Sequence, residues 1–255
     1  MEKFFGNMHI VHLQNIEKNG RIVICNGGKE IFFLCLLHYN DTCKVNQQFT
    51  GGEHRVVKLN IQTAELALRE ASESNPGAWA DHSRFVAEAC KNIASHCKDL
   101  SSEQAYIFGL LHDIGRYAGV SSERHLIDGY RYCMERGWEK AAQICISHAF
   151  MIQDIATSIG VFDVSDEDYL FMKEFVANAV YDDYDRLVQL CDALAMPTGF
   201  CLLEKRFVDV TMRYGVHPAT IDRWKKILEI KEQFESQIGC SIYSLLPGIV
   251  ENSFR

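Results

Sequence analysis

Gly109-Leu110-Leu111-His112-Asp113-Ile114-Gly115-Arg116 places an imidazole and a carboxylate side by side in an otherwise small and apolar stretch. Both groups cost free energy when buried unless they are paired or bound to a cation. Neutral His with Asp is a mixed nitrogen and oxygen donor set suited to divalent transition metals. The stretch reads as helix, on which adjacent residues point about 100° apart. That geometry can grip a metal off the helix face, or let Asp113 bridge two metals. Arg116 follows His112 by four positions and Asp113 by three, on the same surface. Gly109 and Gly115 weaken the helix but leave room for another backbone to come close. Further donor-type residues stand where a helical bundle could gather them: His82, His125, His148 and Asp192.

Outward from this stretch, the chain is helical in pattern from about Leu59. Ile61–Ala71 carries a helical stripe, Asn75-Pro76-Gly77 breaks it, and about Asp81–Cys97 forms the next helix. Ser101 and Gln104 fit a capping box that opens the helix bearing His112. Helices follow from about Glu123 to Gly137, over Trp138–Ser147, after the acidic opening Asp166-Glu167-Asp168, and over Asp182–Leu194. The pattern closes with about Gly199–Tyr214 and Pro218–Ile238, Pro218 being suited to a first turn. The acidic run from Asp182 to Asp185 is explained by a helix start rather than by a metal. The expected fold class is therefore all-α.

Before residue 56 the character changes. Ile10-Val11-His12-Leu13 and Arg21-Ile22-Val23-Ile24-Cys25 look like short strands, Ile31–Leu37 like a third, with turn signals at Asn19-Gly20 and Asn26-Gly27-Gly28. Residues 1–55 hold six Lys/Arg and five Asp/Glu, a net of +1, which leaves −9 for the remainder of a chain whose total is −8. The expected division is an N-terminal extension over 1–55, short β elements or disorder, and one helical domain over 56–255. Thr50-Gly51-Gly52-Glu53-His54-Arg55-Val56 can also be encoded by a ribosome-binding sequence followed by a GTG start. Residues 1–55 are thus either an upstream extension of the reading frame or a genuine small β element.

The 255-residue chain is 47% hydrophobic and 24% charged, ordinary for a globular protein. Its net charge of −8 argues against a broad nucleic-acid-binding face. Ten cysteines without a CxxC pair, and no apolar secretory segment, point to reduced thiols in a cytoplasmic protein. The longest apolar run, Ile31–Leu37, is too short to span a membrane.

The order His82, His112-Asp113, Asp192 resembles the HD domain superfamily of metal-dependent phosphohydrolases. His82-Ser83-Arg84-Phe85-Val86-Ala87 and the Gly109–Arg116 stretch match its first two motifs, and Leu190-Cys191-Asp192-Ala193-Leu194 resembles its final aspartate motif. The likeness covers roughly residues 60–195. It implies an HD-domain helical bundle in which His82, His112, Asp113 and Asp192 hold one metal. His125 and His148 fall where two-metal members, among them bacterial dinucleoside tetraphosphate hydrolases, place two more histidines. The resemblance implies one or two divalent ions (Mn, Fe, Co, Ni or Zn) and a small phosphorylated substrate such as a nucleotide, attacked by metal-bound hydroxide. Asp113 and Arg116 would be the catalytic residues, although many relatives have Lys at the Arg116 position. No Gly-Tyr-Pro motif follows, so a cyclic dinucleotide phosphodiesterase of that subtype is not indicated. Two other classes share the pattern: HD-type diiron oxygenases, similar to myo-inositol oxygenase, and non-catalytic ligand-sensing HD modules.

Overall fold

The computed structural model describes residues 22–26, 29–33 and 58–254. The chain divides into two compact units, Met1–Gly52 and Glu53–Arg255. In the first, β1 (Ile22–Asn26) pairs antiparallel with β2 (Lys29–Phe33), Ile22 opposite Phe33 and Asn26 opposite Lys29. That register leaves Gly27 and Gly28 as the connection, at the turn signal read from the sequence. The expected strand at Ile10–Leu13 lies outside the described residues.

The second unit is helical. Its elements are α1 (Ile61–Ser74), α2 (Trp79–Ala94), α3 (Ser102–Leu111), α4 (Arg124–Met134), α5 (Glu139–Ser147), α6 (Asp166–Asn178) and α7 (Asp183–Asp192), then α8 (Leu203–Tyr214), α9 (Thr220–Ile238) and α10 (Ile249–Ser253). Side chains that accept the first-turn N–H groups start several of them. Asn60 caps α1 through Thr63 N at 2.9 Å, and Ser165 caps α6 through Asp168 N at 3.1 Å. Ser101 caps α3 through Gln104 N at 3.3 Å. The expected reciprocal half of that box is replaced, because Tyr184 inserts its hydroxyl. Its oxygen accepts from Ser101 N at 2.9 Å while its O–H donates to Gln104 Oε1, also at 2.9 Å.

The main core lies where α2, α3, α7 and α9 meet. Val86 and Ile93, Leu110 and Leu111, Leu187 and Leu190, and Ile227 and Ile230 are all within 2% of fully buried. A second cluster joins α4, α5 and α6 through Leu126, Ile127, Ile146, Phe150, Met172 and Val176. The glycines flanking the His-Asp doublet have the anticipated use. A Cβ on Gly109 would stand 2.8 Å from the Ala87 Cα of α2, and one on Gly115 would stand 2.0 Å from the His125 carbonyl oxygen. The main chain carrying the doublet is thereby pressed against both α2 and α4.

Three local expectations are corrected. The helix does not run through the doublet: α3 stops at Leu111, Asp113 leaves helical geometry at φ −103°, ψ 14°, and a 3₁₀ turn takes over at Ile114–Ala118. The helix expected from about Gly199 starts late. β3 (Ala195–Met196) pairs with β4 (Gly199–Phe200) across Pro197-Thr198, and α8 begins only at Leu203. Proline ends the segment and Gly199 supplies a φ of +140°. Finally, α9 starts at Thr220, so Pro218 precedes the helix instead of opening it.

No helix among the described residues is long and apolar enough to cross a membrane. Among the described cysteines, Cys90, Cys133, Cys145, Cys191 and Cys201 are buried free thiols.

Candidate metal centre

The structure brings the six His and Asp residues singled out in the sequence to one place. His82 comes from the first turn of α2, and His112 and Asp113 from the end of α3. His125 lies in the first turn of α4, His148 just past α5, and Asp192 at the end of α7. Two donor groups share Asp113: His82 with His112, and His125 with His148. All of them except the half-buried Asp192 are buried.

Main-chain carbonyls fix the imidazoles. Nδ1 of His112 lies 2.7 Å from Gly109 O, Nδ1 of His148 lies 3.1 Å from Ile144 O, and Nδ1 of His125 faces Ser122 O. A carbonyl only accepts, so each Nδ1 carries the proton and each Nε2 presents a lone pair. Those lone pairs point at carboxylates. His125 Nε2 is 3.2 Å and His148 Nε2 3.7 Å from Asp113 Oδ1. His112 Nε2 is 3.9 Å from Asp113 Oδ2 and 4.0 Å from Asp192 Oδ1. His82 differs, because no carbonyl holds its Nδ1 and its Nε2 is hydrogen-bonded to Asp192 Oδ1 at 2.8 Å.

Two atoms that ligate one ion at about 2.1 Å can stand at most about 4.2 Å apart. Every one of these separations meets that limit. Moreover, His112 Nε2, Asp113 Oδ1 and His82 Nδ1 are buried without a hydrogen-bond partner among the described residues. Unpartnered acceptors in a buried place are costly unless a cation completes them. The residues therefore fit one or two divalent ions, with Asp113 offering one oxygen to each group.

The electrostatics favour the ligating forms. Burial draws the His148 pKa down to about 4, with a contribution from His112, and lowers that of His112 as well. Burial alone would raise the Asp113 carboxyl, but Arg116, His112 and His125 outweigh it and hold it well below the usual range. Asp192 is likewise held down against its burial, chiefly by the hydrogen bond with His82. At neutral pH His112 and His148 are neutral and both carboxylates are charged, as metal ligation demands.

Positioning comes from residues that the sequence reading passed over. Asp163 accepts from Ser122 N at 2.9 Å and from Arg124 N at 2.8 Å, capping the α4 terminus that carries His125. In the acidic run, Asp182 caps α7 as expected. Asp185, by contrast, is fully buried and accepts from Lys140, Gln143 and Ser147 Oγ at 2.5, 2.9 and 2.6 Å. This clamp ties α5 to α7 and so fixes His148 relative to Asp192.

Arg116 lies where its spacing implied: its Nε donates to Asp113 Oδ2 at 2.7 Å, while Asn75 Nδ2 donates to its carbonyl at 2.6 Å. The cluster opens into a cavity of about 540 Å³. Its lining holds three further arginines from α8 and α9, namely Arg206, Arg213 and Arg223, together with Phe207 and Trp224. These two rings stack at 5.0 Å with their planes 5° apart. Arg206 stands 3.7 Å from Asp192 Oδ1 and 3.2 Å from Asp209 Oδ2. In sequence, Arg206, Asp209 and Arg213 look like a surface ion-pair ladder on a helix, and no local signal turns them toward a site.

Comparison with known proteins gives one family. Residues 61–143 match the model of the HDOD domain, an HD-related module, over about a third of the chain. The matched segment contains His82, His112, Asp113, Arg116 and His125, and stops before His148 and Asp192. No curated protein and no solved structure matches the chain.

Proposed function

We propose that the chain is a metal-dependent phosphohydrolase acting on a small phosphate ester or nucleotide. The observation that carries this reading is the placement of Arg116. Its guanidinium is held by a hydrogen bond to the carboxylate shared between the two donor groups, at the floor of a cavity that Arg206 also lines. Four guanidinium groups and four carboxylates (Asp113, Glu123, Asp192, Asp209) balance in that cavity, so each divalent ion added leaves it net positive. A positive, partly enclosed site with forked donors is matched to a phosphoryl dianion.

His82, His112, Asp113 and Asp192 would hold one ion, and Asp113, His125 and His148 a second. When bound, such ions lower the pKa of coordinated water and draw charge from phosphoryl oxygens. The chain's own contribution is orientation and charge. The carbonyls of Gly109, Ser122 and Ile144 lock the imidazole tautomers. Asp113 holds the Nε–H of Arg116, whose Nη2 lies 3.4 Å from His125 Nε2. With that imidazole nitrogen on an ion, the terminal N–H groups would be released to steady charge on the transferring phosphoryl group.

HDOD domains are often non-catalytic, and the family match favours a second reading, a metal-containing module that binds a ligand without turnover. One experiment decides. Metal-loaded protein is screened for phosphate release against nucleotides, dinucleoside polyphosphates and sugar phosphates, with oxygen consumption followed in an iron-loaded sample. Metal-dependent release that vanishes in His112→Ala supports the hydrolase. Metal without release from any compound supports the binding module, and oxygen uptake supports diiron chemistry.

A further inference from the structure

Of the four arginines around the cavity, Arg223 is held differently. Arg116 pairs with Asp113, Arg206 with Asp192 and Asp209, and Arg213 with Asp209 at 2.8 Å. Arg223 has no carboxylate within 4.0 Å among the described residues; its Nη1 donates instead to the carbonyls of Ala149 at 3.0 Å and Thr157 at 3.1 Å. Two neutral carbonyls fix the direction of the guanidinium without neutralising it, and Nε and Nη2 are left with no described partner. Burial draws its pKa down, against the weaker pull of Glu123 and Asp192. An arginine stays charged regardless. A partly buried cation without a counter-charge is costly, and an anion bound there removes that cost.

Its place matters as much as its charge. Ala149 directly follows His148, so Arg223 is tethered to the main chain beside the donor cluster, yet the carboxylates of Asp113 and Asp192 are out of its reach. We propose that Arg223 receives a second anionic group of the substrate, a phosphate or carboxylate separate from the phosphoryl group beside Arg116. This rests on the phosphohydrolase reading and narrows it to substrates anionic at two points. Residues 220–227 of α9 would then act in specificity, although they lie far outside the HDOD match.

The test uses the full, metal-loaded chain and the fluorescence of Trp224, which adjoins Arg223 and lines the same cavity. The probes are linear alkylphosphonates, alkane-α,ω-diphosphonates and ω-carboxyalkylphosphonates of increasing length. At a matching length a doubly anionic probe should bind about 10- to 100-fold tighter than the monophosphonate, the usual weight of one charge-assisted contact. Arg223→Gln should erase that preference and leave monophosphonate affinity and metal content as in the parent; Arg223→Lys should keep part of it. Preference for the diphosphonate or for the carboxyl series tells which anion the position takes. The proposal is overturned if the parent shows no preference at any length, or if Arg223→Gln weakens both probe classes equally. Because binding is read without turnover, absence of phosphate release from any ester would fell the hydrolase reading while leaving this result standing.

Discussion

Nε2 of His125 stands 3.2 Å from Oδ1 of Asp113, and both are acceptors because the proton of His125 is committed at Nδ1 to Ser122 O. Nη2 of Arg116 reaches that Nε2 at 3.4 Å, while Oδ1 is left without a partner among the described residues. The guanidinium meets the other carboxylate oxygen, Oδ2, so the buried Oδ1 facing His125 and His148 still needs a cation to offset its cost. Purified protein should therefore carry at least about one transition-metal ion per chain, and its melting temperature should rise with metal concentration as binding to the folded state alone requires. Asp113→Ala removes the carboxylate common to both donor groups and should abolish metal retention. Elemental analysis showing parental metal content in that variant would remove the site.

Stability of the metal-free protein should depend on pH through His148. Its folded pKa is about 4 against a reference of 6.5, so on acidification the unfolded chain takes up the proton first. The stabilising difference is complete above pH 6.5 and is lost as pH falls towards 4, on the order of a few kcal/mol for a buried group. His112, shifted in the same direction, adds to the loss. Asp113 and Asp192, both shifted down, contribute stability that is present above their unfolded values and disappears only at still lower pH. Melts of the apo protein across this range should show the decline, and His148→Gln should flatten it between pH 6.5 and 4.

The His112-Asp113 doublet was legible in the sequence because its chemistry is local, in a stretch that offers the two no other partner; that His82, His125, His148 and Asp192 gather around it is a tertiary result. Helix existence was legible for the same reason, since stripes and caps such as Ser165 are short-range signals. What escaped was tertiary. The end of α3 before His112 reflects the pressure of α2 and α4 on Gly109 and Gly115, which no propensity records. Asp163 caps a helix some forty positions earlier in the chain, and Asp185 is buried by Lys140, Gln143 and Ser147, none of them its sequence neighbours. Arg206 and Arg223 face the cavity only because α8 and α9 fold back over it.

Gly115→Ala should be severely destabilising despite adding one methyl group. The new Cβ would lie 2.0 Å from His125 O and 2.3 Å from Gly129 N, both rigid main chain. The 3₁₀ turn and α4 must separate, which costs about 1–3 kcal/mol or more for forced overpacking. Because that separation also moves His125 away from Asp113, metal affinity should fall with stability. Gly119→Ala is the control, a glycine with open space around it and no donor nearby; its φ of +119° adds local strain but leaves metal affinity alone. Parental melting and metal affinity in Gly115→Ala would show that the close approach is dispensable.

Residues 56–255 should fold without the segment before them. A chain starting at Val56 is expected to melt cooperatively and to retain metal, since all six donor residues and both apolar clusters belong to it. Aggregation or a non-cooperative melt of the shortened chain would make residues 1–55 part of the fold.

Arg116 separates catalysis from ligation. Its Nε–H bond to Asp113 at 2.7 Å is directional, and a lysine in its place keeps the charge but loses the fork that can hold Asp113 and a phosphoryl oxygen together. Removing one such donor typically costs on the order of 10²–10³ in turnover. Arg116→Ala should fall by about that factor with metal content near the parental value, and Arg116→Lys should fall less. The distinction from a structural role lies in the kinetics: loss of a donor used in the transition state lowers kcat and kcat/KM together, while a shifted helix would show first as lost metal. If Arg116→Ala turns over substrate as fast as the parent, the arginine only holds Asp113 in place, and the charge that meets the phosphoryl group must come from the metals and Arg206.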